Sequence, residues 1–266
     1  MPHPLNTPLG RFGIDTTREG ADRCVASIPV AGLTNPCTGE ATVAPLAMLV
    51  DHIGGVVNHL RRGTGEWTVS SELAVEFAPG AAEAIAAAPD VPVVGVARPF
   101  GQKSGTALAL CDLSVRDVVV ATATVRSFYI AAPADLVTWP DAASGSRPGH
   151  RLADLMAVEI AETGSAGSAL TQSDDPVLNN AVGAVHGGVS STGLELVGAA
   201  ALHRAAGAAF HTASLRVNFL RPFHGGGEAH YAARALHAGR GSGVAEATAV
   251  GADGRTALLA RLTGYR

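Results

Sequence analysis

The stretch AVHGGVSSTGLE, from Ala184 to Glu195, contains a His-Gly-Gly triplet, and one acid lies eight residues after the first of its glycines. The segment that follows, LVGAAAL, has no polar side chain. Small and apolar residues cover nearly every face of this region, which predicts a helix buried on most sides from about Gly187 to Ala206. An acid in such a helix lies on a surface stripe, is paired, or takes part in chemistry.

The composition of the 266-residue chain is that of a globular protein, with 47% hydrophobic and 16% charged residues. Its net charge of −4 argues against a nucleic-acid partner, which requires a basic face. The start of the chain has no signal-peptide pattern, and no apolar run reaches the ~18–20 residues of a membrane span. We therefore expect a cytoplasmic protein without a membrane partner.

The three cysteines and ten histidines do not form a recognisable ligand motif. Neither a C-x-x-C nor an H-E-x-x-H spacing occurs, so the sequence predicts free thiols, no disulfide framework and no metal site.

The chain also contains an internal repeat, seen in three pairs of segments that occur in the same order. TVAPLAMLVD (Thr42–Asp51) aligns with HGGVSSTGLE (His186–Glu195), SSELAVEF (Ser70–Phe77) with TASLRVNF (Thr212–Phe219), and DVVVATATVRSFY (Asp117–Tyr129) with DGRTALLARLTGY (Asp253–Tyr265). The offset shrinks from 144 to 142 to 136 residues, as expected if the second copy has shorter loops. Chance similarity of alanine-rich segments is the alternative, but three matches in order favour duplication.

The sequence pattern of each copy predicts one long helix followed by antiparallel strands. This order of elements indicates an α+β fold in which a curved sheet wraps a helix. The first helix begins near Pro45, which suits a first helical turn, and ends near Leu60. The predicted strands lie at 23–30, 68–77, 91–100, 105–117 and 118–130 in the first copy, and at 155–163, 168–173, 212–222, 227–239, 242–254 and 255–265 in the second. The predicted domains are residues 1–132 and 151–266, joined by a linker at 133–150 that is rich in Pro, Ala, Ser and Gly.

The second copy resembles the hotdog-fold acyl-CoA thioesterases, in particular the phenylacetate-pathway and 4-hydroxybenzoyl-CoA thioesterases. The resemblance is carried by Asn180, Gly183, the triplet His186–Gly188, Glu195, the segment VNFLRP (Val217–Pro222) and the segment HAGRG (His237–Gly241). It extends from about Leu152 to Arg266, whereas the first copy shares the layout without the triplet. The resemblance implies a tandem double hotdog.

The resemblance also implies an active site that straddles the two copies. Its candidate residues are Asn180, His186 and Gly187 from the second copy, with Asp51 and Ser70 from the first. The Gly187 amide, at a helix N-terminus, would hold a thioester carbonyl, and Asp51 would act as nucleophile or as general base. His186 would have a positioning role.

A second site would join Glu195 and Thr212 to Pro36, Thr42 and Val43, where the Asn and both glycines of the motif are absent. Glu195 is therefore interpreted as a relic or as the base of a weaker site. The alternative pairing, in which the triplet serves its own Glu195, stays open.

The resemblance makes Arg240, Arg221 and Lys103 candidates for the CoA phosphates, with CoA entering as part of the substrate and no other cofactor. It implies a homodimer of double hotdogs. Two other functions stay open: a non-catalytic acyl-CoA-binding protein, and an enoyl-CoA hydratase or dehydratase.

Overall fold

The computed structural model describes residues 2–137, 149–161 and 168–266. The first copy contains α1 (Pro8–Arg11), β1 (Asp15–Arg18), β2 (Cys24–Ile28), α2 (Leu46–His59), β3 (Glu66–Phe77), α3 (Ala81–Ala86), β4 (Val93–Phe100), β5 (Thr106–Val115) and β6 (Val118–Ala131). The second contains α4 (Leu152–Met156), β7 (Val158–Ile160), β8 (Ser168–Gln172), a 3-10 turn (Pro176–Leu178), α5 (Gly187–Ala206), β9 (His211–Phe219), β10 (His230–Ala238), β11 (Ser242–Val250) and β12 (Thr256–Tyr265).

Every described strand belongs to one antiparallel sheet of 12 strands, in the order β1-β2-β4-β5-β6-β3-β9-β12-β11-β10-β8-β7. The two long helices, α2 and α5, pack against this sheet and against each other. This arrangement is a double hotdog, so the fold class predicted from the sequence is confirmed.

The two copies meet at β3 and β9, and their pairing register agrees with the sequence repeat. Ala74 pairs with Arg216, which lies 142 residues further along the chain and is its equivalent in the alignment. Leu73 pairs with Val217 and Val75 with Leu215. The pairing is therefore symmetric about Ala74 and Arg216, which are counterparts in the repeat. This symmetry defines a pseudo-two-fold axis between the copies.

Close packing of the helices depends on glycine at two positions of α5. A Cβ atom at Gly188 would lie 2.6 Å from the Cα of Met48 on α2, and one at Gly193 would lie 2.6 Å from the ring of Tyr231 on β10. Real Cβ atoms do not approach other atoms so closely, so small residues set the distance between α5 and its neighbours.

One predicted element needs correction, and one short helix has no predicted counterpart. Leu155 and Met156, predicted as extended, belong to the short helix α4, where Leu152 and both of these residues are buried on one helical face. Helix α3, which follows Gly80 at a φ of 78°, lies in a stretch for which the sequence predicts no element. Both helices are too short for periodicity to reveal.

Much of the predicted linker, residues 138–148, lies outside the described residues, and the domain limits stay predictions. Within the described ranges, no helix combines the length and the apolar character needed to cross a membrane.

Candidate active site

A cavity of about 860 Å³ lies between the two copies. It is lined by residues of α2, β3 and the end of β9, and by the loop that leads into α5. All five residues predicted for the first site line it: Asp51, Ser70, Asn180, His186 and Gly187. The structure thus brings together residues that lie up to 136 positions apart in sequence.

One oxygen of the Asp51 carboxylate is fixed by a hydrogen bond, and the other is directed at the helix of the second copy. Asp51 lies on α2 and is only 7% exposed. Its Oδ1 accepts a hydrogen bond from the Ser70 hydroxyl at 2.9 Å. The register of β3 shifts between Ser70 and Glu72, and such a bulge re-aims the side chains beside it. Oδ2 then faces the N-terminus of α5.

Gly187 is the first residue of α5, and its amide has no acceptor among the residues that the structure describes. Helix N-termini carry unpaired N–H groups and a partial positive charge. A Cβ atom at this position would lie 2.8 Å from Asp51 Oδ2. Glycine is therefore what allows the carboxylate to approach the helix end so closely.

His186 is the N-cap of α5, and its Nδ1 accepts a hydrogen bond from the Gly188 amide at 3.1 Å. The same nitrogen lies 3.3 Å from Asp51 Oδ2. A nitrogen that accepts a hydrogen bond from an N–H group carries no proton. The contact of Nδ1 with Asp51 is therefore not an ion pair while His186 caps the helix. Burial lowers the pKa of His186, although Asp51 opposes this effect. Since Nδ1 accepts from Gly188, the neutral ring has its proton on Nε2 in this arrangement.

Asn180 supports the loop before α5. Its Oδ1 accepts hydrogen bonds from the amides of Val182 at 3.1 Å and Ala184 at 3.2 Å. Gly183 lies in this turn at a φ of 78°, a conformation that favours glycine. The side-chain oxygen of Asn180 is therefore engaged in shaping the loop, while the residue itself lines the cavity.

The second predicted site has the same layout with different residues. Thr212 donates to Glu195 Oε1 at 2.5 Å, and Thr42 donates to Oε2 at 3.4 Å. Thr42 also accepts a hydrogen bond from the Ala44 amide at 3.1 Å, as His186 does from Gly188.

The second site is, however, smaller and more deeply buried than the first. Its cavity is about 210 Å³. Glu195 is 2% exposed, and burial raises its pKa to about 7. Val43, rather than a glycine, stands at the position equivalent to Gly187. The side chain of Asn35, one residue before the predicted Pro36, donates to the carbonyl of Leu196 at 2.8 Å, so it binds the helix.

Of the three cationic candidates for CoA, the structure brings one to the cavity. Arg221 lines it and is exposed, with its guanidinium also donating to the Thr256 carbonyl at 2.6 Å. Arg240 is exposed beside the turn between β10 and β11 and lines neither of the two cavities. Lys103 pairs with Glu66 at 2.6 Å and also lies outside both.

The N-terminal segment forms one wall of the large cavity, which the sequence does not predict. His3 and the segment Thr7–Leu9 line it. Arg11 in α1 forms an ion pair of 3.0 Å with Asp175, and the two side chains are 9% and 22% exposed. This pair fastens α1 to the turn that precedes Asn180. No periodicity or motif in residues 2–12 signals such a role.

The fold and the motif-bearing loop define a double-hotdog protein with a carboxylate at the junction of its copies. Comparison with known families gives a finer result: residues 182–258 match the family described as the thioesterase superfamily. The resemblance to hotdog thioesterases expected from the sequence is thereby confirmed for the second copy. No protein of curated function matches the chain.

Among solved structures, a tesB protein of Mycobacterium avium subs paratuberculosis is similar, with a TM-score of 0.63, 13% identity, and 94% of this chain and 95% of that chain covered. The acyl-CoA thioesterase II TesB2 of Mycobacterium marinum gives a TM-score of 0.60 and 12% identity, with 94% of each chain covered. A hot dog fold protein of unknown function from Alicyclobacillus acidocaldarius gives 0.52 and 14%, with 100% and 99% covered. At sequence identities of 12–14%, the similarity to these three structures concerns the fold alone.

Proposed function

We propose that this protein is an acyl-CoA thioesterase that hydrolyses an acyl thioester to the free acid and CoA. The observation that carries the proposal is the close approach of the Asp51 carboxylate to Gly187, whose amide has no acceptor among the described residues, inside a cavity of about 860 Å³. The thioesterase match of residues 182–258 and the acyl-CoA thioesterase among the similar folds support it.

The thioester carbonyl oxygen accepts a hydrogen bond from the Gly187 amide. As the carbonyl carbon becomes tetrahedral, negative charge develops on that oxygen, and the helix N-terminus stabilises it. One such donor is worth about 3–4 kcal/mol in catalysis. His186 keeps the helix end in place by accepting the neighbouring amide of Gly188.

Asp51 Oδ2 supplies the basic or nucleophilic oxygen, while Ser70 holds Oδ1. As general base, Asp51 takes a proton from water, whose oxygen bonds to the carbonyl carbon. As nucleophile, it bonds to that carbon itself, and water then cleaves the mixed anhydride. In either route the C–S bond breaks, CoA leaves as the thiolate and is protonated, and the acid is released.

CoA enters as part of the substrate, and hydrolysis by this route uses no other cofactor. Arg221, at the exposed edge of the cavity, is the candidate contact for a CoA phosphate. The homodimer and the cytoplasmic location stay predictions.

The test is thiol release from a panel of acyl-CoAs, measured on wild type, Asp51→Asn and the control Asp112→Asn, which changes an exposed acid on β5. We expect turnover by wild type and by the control, and loss of at least ~100-fold in Asp51→Asn. Thermal stabilisation by acyl-CoA without thiol release would instead indicate a binding protein. Loss of enoyl absorbance without thiol release would indicate a hydratase. Either result would overturn the proposal.

A further inference from the structure

Three side chains capable of binding a metal ion meet beside α2, although they are far apart in sequence. They are His3 in the N-terminal segment, Glu19 immediately after β1, and His52 on α2. Their ligand atoms all lie within 4.8 Å of one another. We infer that His3, Glu19 and His52 form a binding site for one divalent transition-metal ion of the zinc type, which fastens the N-terminal segment to the helix that carries Asp51.

The donor set favours a zinc-type ion over calcium or magnesium. Two imidazole nitrogens and one carboxylate are usual ligands of Zn²⁺, whereas Ca²⁺ and Mg²⁺ prefer shells made of oxygen. Zn²⁺ binds His nitrogens at about 2.0–2.1 Å and carboxylate oxygens at about 2.0–2.2 Å. Three such ligands in a tetrahedral site are about 3.4 Å apart. The ligand atoms therefore need to move together by at most about 1.4 Å, and Glu19, whose side chain is exposed, is the ligand freest to move.

The two imidazoles already point the required nitrogens at one place. His3 Nε2 and His52 Nε2 each lie 2.8 Å from the hydroxyl oxygen of Thr16. The two rings meet edge to face, with their centres 5.4 Å apart. A hydroxyl has one proton, so it donates to one of these nitrogens and accepts from the other. On metal binding the ring whose Nε2 donates to Thr16 moves that proton to Nδ1, so that both Nε2 atoms present lone pairs to the ion, and water fills the fourth position.

The burial of the three ligands gives the site a fixed base and an open entrance. His52 is 6% exposed and is held by α2, while His3 is partly buried and Glu19 is exposed. Pro2 forms a backbone bridge with Asp15, which keeps the N-terminal segment beside β1. An ion can therefore enter from the Glu19 side and bind against a rigid histidine.

The position suggests what the ion does. The N-terminal segment that carries His3 continues into Thr7–Leu9, which line the large cavity. The far end of this segment is fastened by the pair of Arg11 with Asp175. A metal ion at His3 would fasten the near end, so the cavity wall would be held at both ends. The inference concerns metal binding alone and stands or falls independently of the proposed thioesterase activity.

The test is metal binding to the full chain, prepared without an affinity tag and treated with a chelator. Zn²⁺ is titrated by calorimetry, Co²⁺ by its visible absorption, and the melting temperature is recorded with and without Zn²⁺. We expect one ion per chain, a rise in melting temperature, and Co²⁺ bands typical of nitrogen and oxygen ligands.

The variants His3→Gln and Glu19→Gln change peripheral side chains, so the fold is retained. We expect each to weaken Zn²⁺ binding at least 10-fold and to remove most of the thermal shift. The control is His211→Gln. His211 lies on the surface, 3.8 Å from Glu83. In the described part of the chain no third metal-binding side chain lies close to this pair, so the substitution should leave Zn²⁺ binding unchanged. Absence of binding by wild type, or binding that survives in both test variants, would overturn the inference.

Discussion

Replacement of Glu195 by glutamine is expected to change how the stability of the protein depends on pH. Glu195 is 2% exposed, and burial raises its pKa from 4.5 to about 7 despite hydrogen bonds from Thr212 and Thr42. The folded chain therefore binds this proton more tightly than the unfolded chain does. The resulting stabilisation is complete below about pH 4.5 and is lost as the pH rises through 7.

The size of the effect follows from the change in pKa. One pKa unit corresponds to about 1.4 kcal/mol, so the rise corresponds to about 3 kcal/mol in the free energy of unfolding. Between pH 5 and pH 8, wild type should lose about 2–3 kcal/mol relative to Glu195→Gln, whose amide does not titrate. Groups common to both proteins cancel in this difference.

The assay is urea denaturation of both proteins at pH 5, 6, 7 and 8. The variant Glu40→Gln, which changes an exposed acid on the same small cavity, is measured in parallel as a control for the exchange itself. A constant stability difference between wild type and Glu195→Gln across this range would refute the reasoning, because it would mean that Glu195 titrates alike in both states.

Three further substitutions test the packing and the cavity wall. Gly188→Ala should destabilise the fold by about 1–3 kcal/mol in urea denaturation, because the added Cβ meets the α2 backbone, whereas Gly55→Ala, with nothing within 4 Å, should not. Asn35→Ala should cost about 1–3 kcal/mol in the same assay by removing the buried hydrogen bond to the Leu196 carbonyl; an unchanged midpoint would contradict this. Leu9→Ala should enlarge the cavity and shift kcat/KM several-fold towards longer acyl-CoAs, and an unaltered chain-length profile would exclude Leu9 from the acyl wall.

The repeat explains why the junction of the two copies was predictable. Matching Ser70 with Thr212 also matches Ala74 with Arg216, and the two strands pair at that register. Because the copies are related by a pseudo-two-fold axis, the acid of one helix faces the N-terminus of the other. The cross-copy contact of Asp51 with Gly187 was thus accessible from the alignment and the resemblance together.

The features that were missed depend on tertiary contacts without local patterns. His3, Glu19 and His52 lie on three segments, so no spacing rule connects them. The ion pair of Arg11 with Asp175 joins opposite copies, and neither residue belongs to a motif. The helix α4 is only five residues long, which is less than two turns and too short for a periodic signal.

The central claim is that the carboxylate of Asp51, rather than that of Glu195, acts with the Gly187 amide on the thioester. It is tested by kcat/KM for the best acyl-CoA in wild type, Asp51→Asn and Glu195→Gln, at one pH and with matched protein concentrations. We expect a loss of at least ~100-fold in Asp51→Asn and a change of no more than a few-fold in Glu195→Gln. The reverse result, with Asp51→Asn active and Glu195→Gln inactive, would contradict it.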